Sequence, residues 1–174
     1  METSTLDFIV PFTHGSLYFG NDDGDNYITT DPPVSARVDG GGLALYSPRY
    51  AGHARVRVEC VEALPEIDLN DWDFAAEVFV HTFGSLGISS VCQEVFDTNS
   101  RAPTDGTFSV EMGIYRVRVL VANYHRTNQR LAELNYKKNY KEEDELPTLE
   151  SLMTCDHYRI IFAPVEEVSV LKSL

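Results

Sequence analysis

The sequence predicts a mainly β protein: a single antiparallel β-sandwich with one long, partly helical excursion. Three observations lead there. Apolar and polar residues alternate with period two in several separate stretches, the pattern of strands with one buried face. Turn-forming residues separate those stretches at short intervals. No repeated β-α alternation occurs, which favours antiparallel pairing over a parallel sheet. The clearest stretch runs from Gly113 to Asn123. There Tyr115, Val117, Val119 and Val121 fall on one face, with Arg116 and Arg118 on the other.

Taken in order, Leu6 to Pro11 is a short apolar strand, and Ser16 to Phe19 is a second, with His14-Gly15 as the turn between them. Asn21 to Asn26 is an acidic loop. Asp31-Pro32-Pro33 breaks the chain and Val34 to Val38 resumes extended structure. The run Asp39-Gly40-Gly41-Gly42 is a turn whose glycines are available for positive φ. Leu43 to Tyr46 follows as a strand. Ala54 to Val61 alternates clearly, with Arg55, Arg57 and Glu59 opposite Val56, Val58 and Cys60. An acidic connection from Leu64 to Asp73 holds the only tryptophan, Trp72, and leads into a strand from Phe74 to His81. Gly84 to Val91 turns and runs back beside it. Thr98 to Gly106 reads as a loop before Phe108 to Val110. Beyond the Gly113 stretch, Arg126 to Leu152 shows no clean apolar stripe; Asn128 to Glu133 is a candidate helical turn. Tyr158 to Phe162 restores the alternation, and Pro164 stops it.

The totals set outer bounds. At 174 residues the length suits one domain, since domains usually run to about 100–200 residues. We therefore expect one β-sandwich domain over 1–174, with the excursion at about 126–152. Hydrophobic residues make up 43% and aromatics 11%, ample for a packed core. The formal net charge is −13, from 27 acidic and 14 basic residues. That balance argues against nucleic acid or an anionic membrane as direct partner, because both carry the same sign. It favours a basic protein. The N-terminus lacks a basic n-region and no stretch approaches a membrane span of about 18 apolar residues, so a cytoplasmic location is expected.

Catalytic motifs are missing from the sequence. Cys60, Cys92 and Cys155 have no metal-ligand spacing and read as reduced thiols. The five histidines form no paired ligand motif, although His81 and His157, on the outward faces of their strands, are placed to meet if the fold allows it. No nucleophile elbow or phosphate-binding glycine loop occurs. The acidic tip of Asp22, Asp23 and Asp25 invites a calcium reading. An EF-hand register with Gly24 sixth would put Phe19 first and Thr30 twelfth, and both fail as ligands. No cofactor and no metal site are expected. Trp72, flanked by Asp71 and Asp73, is either a plug closing one end of the sandwich or an exposed aromatic anchor ringed by acids. The arginine pairs Arg55/Arg57 and Arg116/Arg118 predict interleaved acids such as Glu59 and Glu77. Like charges side by side destabilise a sheet, while opposite charges contribute about 0.2–1 kcal/mol per pair.

Three segments together resemble a known family. They are the Leu64-to-Asp73 connection with the Phe74-to-His81 strand, the strand Gly113-Ile-Tyr-Arg-Val-Arg-Val119, and Asp156-His-Tyr-Arg-Ile-Ile-Phe-Ala-Pro164. In order and spacing they resemble the small β-sandwich inhibitors of DNA-entry nucleases, the competence protein J type. This chain has a longer N-terminal region and the added Arg126-to-Leu152 excursion. The resemblance implies a non-enzymatic acidic protein that masks a basic nuclease or toxin, as an inhibitor or immunity protein. The charge pattern places the candidate partner-binding residues at Asp22, Asp23, Asp25, Asp71, Trp72, Asp73, Glu142, Glu143, Asp144 and Glu145. The alternative is a sandwich that binds a small ligand, sugar or calcium, through its acidic tips.

Overall fold

Two sheets face each other across a shared apolar core in the computed structural model. It describes residues 4–12, 15–20, 27–28, 33–37, 41–48, 52–89, 95–97, 102–104, 106–133 and 156–165. The strands are β1 Ser4–Phe12, β2 Ser16–Gly20, β3 Tyr27–Ile28, β4 Val34–Arg37, β5 Gly42–Tyr46, β6 Gly52–Cys60, β7 Phe74–Thr82, β8 Ser85–Ser89, β9 Val95–Asp97, β10 Ala102–Thr104, β11 Thr107–Ser109, β12 Gly113–Ala122 and β13 Asp156–Pro164. One helix, α1, spans Tyr124–Glu133. The seven-stranded sheet has the order β10-β9-β1-β6-β13-β12-β7, and the six-stranded sheet β11-β8-β2-β5-β4-β3.

The fold is mainly β, as the alternation predicts. Tyr115, Val117, Val119 and Val121 of β12 are all buried, beside Val56, Val58, Val80 and Ile160; Val78 is half-buried against the same cluster. Across the sandwich, Phe19 of β2 stacks on Phe162 of β13 with ring centroids 5.3 Å apart. Phe108 of β11 closes on Phe19 at 5.4 Å. Offset aromatic pairs of this kind contribute about 0.5–1.5 kcal/mol beyond the area they bury.

Five details depart from the sequence expectation. β8 does not run back beside β7 but crosses to the six-stranded sheet, between β11 and β2. The pairing is not wholly antiparallel: β13 runs parallel to β6, with Ile160 beside Val58. Short strands appear where loop was expected, as Ala102–Thr104 pairs with β9. Gly42 is a strand residue placed for space rather than for positive φ, because a Cβ there would run into the Phe19 carbonyl of the neighbouring β2. The helix starts at Tyr124, ahead of the Asn128 expected. Asn123 takes φ 67°, a left-handed conformation that asparagine tolerates better than most residues, and so turns the chain out of β12 directly into α1. The Thr127 amide then donates to the Asn123 carbonyl at 2.8 Å.

The parallel pair has a consequence for the surface. Since β13 is parallel to β6 and antiparallel to β12, and β12 is antiparallel to β7, strands β6 and β7 point the same way. The connection between them, residues 61–73, must therefore return along the outside of the sheet, crossing β13 and β12. It starts where the Val61 amide donates to the Phe162 carbonyl (2.9 Å) and ends where the Asp73 amide donates to the Val121 carbonyl (2.8 Å). Midway, Arg118 Nη1 donates to the Pro65 carbonyl at 2.6 Å. We call this segment the strap.

Candidate functional site

The outer face of the seven-stranded sheet is built from the alternate residues that the strands turn away from the core. Its central columns carry arginine and acid in cross-strand register. Asp7 of β1 lies opposite Arg57 of β6, and accepts from Arg57 Nη2 at 2.9 Å and, diagonally, pairs with Arg55 at 3.5 Å. The Asp7 hydrogen bond, together with its charge, raises the Arg57 pKa above its usual value. Glu59 is held by Arg159 of β13 through two contacts of 2.8 Å. Glu77 of β7 lies between Arg118, directly opposite it, and Arg116, diagonal to it. The Arg118 hydrogen bond, reinforced by Arg116, holds the Glu77 carboxyl below the usual glutamate range.

The expectation that acids interleave with the arginines is thus met for Glu77. It needs adjusting for Glu59, whose partner is Arg159. The acid that serves Arg55 and Arg57 is Asp7, on a strand that read as merely apolar. Because the sheet uses these five arginines on three acids, Asp7, Glu59 and Glu77, each arginine has a carboxylate partner.

The strap is different. It carries Glu62, Glu66, Asp68, Asp71 and Asp73, and no lysine or arginine occurs between Arg57 and Arg101. Glu66, Asp68 and Asp71 are exposed. Asp68 accepts from the Asn70 amide at 3.0 Å, capping a 3₁₀ turn over Leu69–Asp71. Asp73 accepts from the His125 amide at 3.1 Å, which places a carboxylate at the N-terminal end of α1, where unpaired N–H groups favour negative charge. Both of these carboxylates accept from backbone amides.

Trp72 is half-buried, a state between the two expected for it. Its ring packs against His157 of β13, with centroids 5.5 Å apart. Burial, reinforced by Arg55 and Arg57, pushes the His157 pKa down to about 4, so the imidazole is neutral at physiological pH. Its Nε2 is buried without a hydrogen-bond partner. His157 and His81 do not meet: His157 faces Ala122 and His81 faces Ile114, at opposite ends of β12. Among the described residues no group of histidine, cysteine and carboxylate side chains is placed to hold a metal. Asp22, Asp23, Asp25, Glu142, Glu143, Asp144 and Glu145 lie outside the described residues, as do Cys92 and Cys155. Cys60 is buried and free, and its burial raises the thiol pKa.

One feature was absent from the sequence reading. At the end of the sheet away from Trp72, the outer face is open and apolar. Phe79 is 64% exposed, Phe83 60%, Ile114 54% and Met112 74%, and the His81 and Phe83 rings touch with centroids 4.5 Å apart. Between this patch and the strap lies a groove of about 480 Å³ lined by Ile67, Leu69, Ala75 and Glu77 among others. No helix of the described residues is long and apolar enough to cross a membrane.

No protein-family profile and no curated protein sequence matches the chain. Two solved structures are similar to it. One is the product of crocagin biosynthetic gene J, with a TM-score of 0.54 and 14% identity over 95% of this chain and 100% of that one. The other is ComJ from Bacillus subtilis, an inhibitor of the DNA-degrading activity of NucA, with a TM-score of 0.48 and 11% identity over 93% of this chain and 96% of that one. The first likeness shows a shared fold, and the second is a weak structural resemblance to ComJ-like proteins.

Proposed function

We propose that this chain is a non-enzymatic module that binds a basic protein through its acidic surface. The single observation behind the reading is the partition of charge on the outer face. The five sheet arginines are held by three acids within the sheet, while the strap presents Glu66, Asp68 and Asp71 on its exposed side. A field of one sign over a sheet whose arginines are held by its own acids steers a basic partner and repels polyanions. The half-buried Trp72, between Asp71 and Asp73, supplies aromatic contact area within that field. In its finer form the reading is an inhibitor or immunity protein that masks a basic nuclease or toxin, as the competence protein J resemblance implies. Asp22, Asp23, Asp25, Glu142, Glu143, Asp144 and Glu145 are the further acids that would extend the surface.

The test is a binding titration against the basic partner recovered by pull-down from the native organism, followed across salt concentrations. Neutralising Glu66, Asp68 and Asp71 to their amides is expected to weaken binding tenfold or more and to flatten its salt dependence. Neutralising Glu142, Glu143, Asp144 and Glu145 together is expected to do the same. Unchanged affinity and an unchanged salt slope in both variants would remove the acidic surface from the function.

A further inference from the structure

We infer that β7 is the docking edge for a second copy of this chain, joined by antiparallel β7–β7 pairing on a two-fold axis at Phe79. The backbone directions establish the edge. The Ile114 carbonyl accepts from Val165, past the end of β13, whereas the Val121 carbonyl accepts from Asp73, beside β7. Hydrogen-bonding groups of successive strand residues point to opposite sides, so odd-numbered residues of β12 bond to β7. Their register partners are Val80, Val78, Ala76 and Phe74. Ala75, Glu77, Phe79 and His81 therefore turn their N–H and C=O groups away from β12, and among the described residues β7 is the last strand of its sheet. A sheet edge of this length with exposed aromatics is a template for another strand.

The side chains favour a second copy as that strand. With Phe79 on the axis, positions equally spaced about it meet across the new pair. Phe79 meets Phe79 of the other copy. Glu77 meets His81, and His81 meets Glu77. Ala75 meets Phe83. Each match is complementary: aromatic on aromatic, an acid on an imidazole, and the smallest side chain of the row opposite an aromatic that is 60% exposed. The last match has a receptacle. Ala75 lines the groove walled by Ile67 and Leu69. Phe83 is held on the same outer face by its contact with His81, so two-fold pairing brings each Phe83 to the other copy's groove. Shifting the axis by one residue along β7 sets Glu77 opposite Phe79 or Phe79 opposite His81 and loses the acid–imidazole match.

Sedimentation of the full chain over a wide concentration range tests the assembly. The expected species is twice the 19.6 kDa protomer, dissociating on dilution. His81→Glu sets two carboxylates against each other at each end of the pair, and Phe79→Pro deletes both an outward-facing N–H and the ring on the axis. Each is expected to raise the dimer dissociation constant at least tenfold. Amide exchange on the unaltered chain supplies a measurement that no folding defect can confuse. Concentration should protect the Glu77, Phe79 and His81 amides, while Val78 and Val80 stay protected at every dilution. A monomer at all concentrations overturns the proposal. So does a dimer that both variants leave intact, or protection of those amides appearing only with a different protein added.

Discussion

The outer face of the seven-stranded sheet has two ends that begin from the same pattern and finish differently. At one, Leu120 and Ile161 point outward from β12 and β13 and yet are fully buried, on the path along which the strap crosses those strands. At the other, Ile114 and Phe79 point outward from β12 and β7 and are more than half exposed. Period-two alternation is blind to this distinction, because it says which residues share a face and not whether that face is covered. The difference comes from the parallel β6–β13 pair, which makes the strap run the length of the sheet diagonally and leaves one corner unroofed. An apolar residue under the strap belongs to the fold, and one at the open corner is available for contact.

Truncating one residue at each end gives the largest expected contrast. Leu120→Ala should cost about 2–5 kcal/mol, the usual range for removing a fully buried leucine side chain. Phe79→Ala should change monomer stability by no more than about 0.5 kcal/mol, because its ring is in water. Urea unfolding at concentrations where the chain is monomeric checks both. Similar losses for the two variants would mean that the open corner is covered after all.

Acid titration probes the covered end by another route. His157 lies beneath Trp72 with its pKa lowered from 6.5 to about 4. An unfolded chain binds a proton at this site that the folded chain refuses, so stability rises with pH across that interval. It is fully present above about pH 6.5 and is lost progressively down to about pH 4. The whole interval is worth about 3.5 kcal/mol at most, at about 1.4 kcal/mol per pKa unit. His157→Phe should flatten this part of the stability profile relative to the unaltered chain. An unchanged slope between those pH values would show that the imidazole is solvated and that the strap does not seal this end.

How much of this was legible beforehand depends on the range of the interaction. Strands whose alternation is local, such as β6 and β12, were readable because burial imposes the pattern residue by residue. Pairing across the sheet was only half readable. Glu77 between Arg116 and Arg118 follows from charge logic once two strands are assumed to be neighbours. Asp7 serving Arg55 and Arg57 does not, since nothing local says that β1 lies against β6. The start of α1 was hidden for the same reason: the carboxylate at its N-terminal end, Asp73, comes from the far end of the strap. The acidic character of the strap was plain in the sequence, whereas its position over the sheet depended on a parallel pair that no short-range signal announces. Edge status was the least legible property of all. It belongs to the order of the sheet, so Phe79 and Ile114 look like ordinary members of an alternating strand.

The smallest expected effect separates two arginines that share one acid. Arg116 and Arg118 both bond Glu77, but the Arg118 side chain is 19% exposed and the Arg116 side chain 54%. Arg118 also reaches the Pro65 carbonyl, so it ties the strap to the sheet at the boundary between the covered and open ends. Replacing each by methionine keeps the apolar stem and removes the charge. Arg118→Met should cost about 1–3 kcal/mol, the range for losing hydrogen bonds to a charged group when a partly buried carbonyl is left without its donor. Arg116→Met should cost about 0–1 kcal/mol, as expected for an exposed ion pair. Exchange rates of amides in the strap give the sharper reading, since Arg118→Met should speed them and Arg116→Met should not. Equal effects from the two variants would mean that Glu77 neutralisation is all that either arginine does, and that the strap is held down by its ends alone.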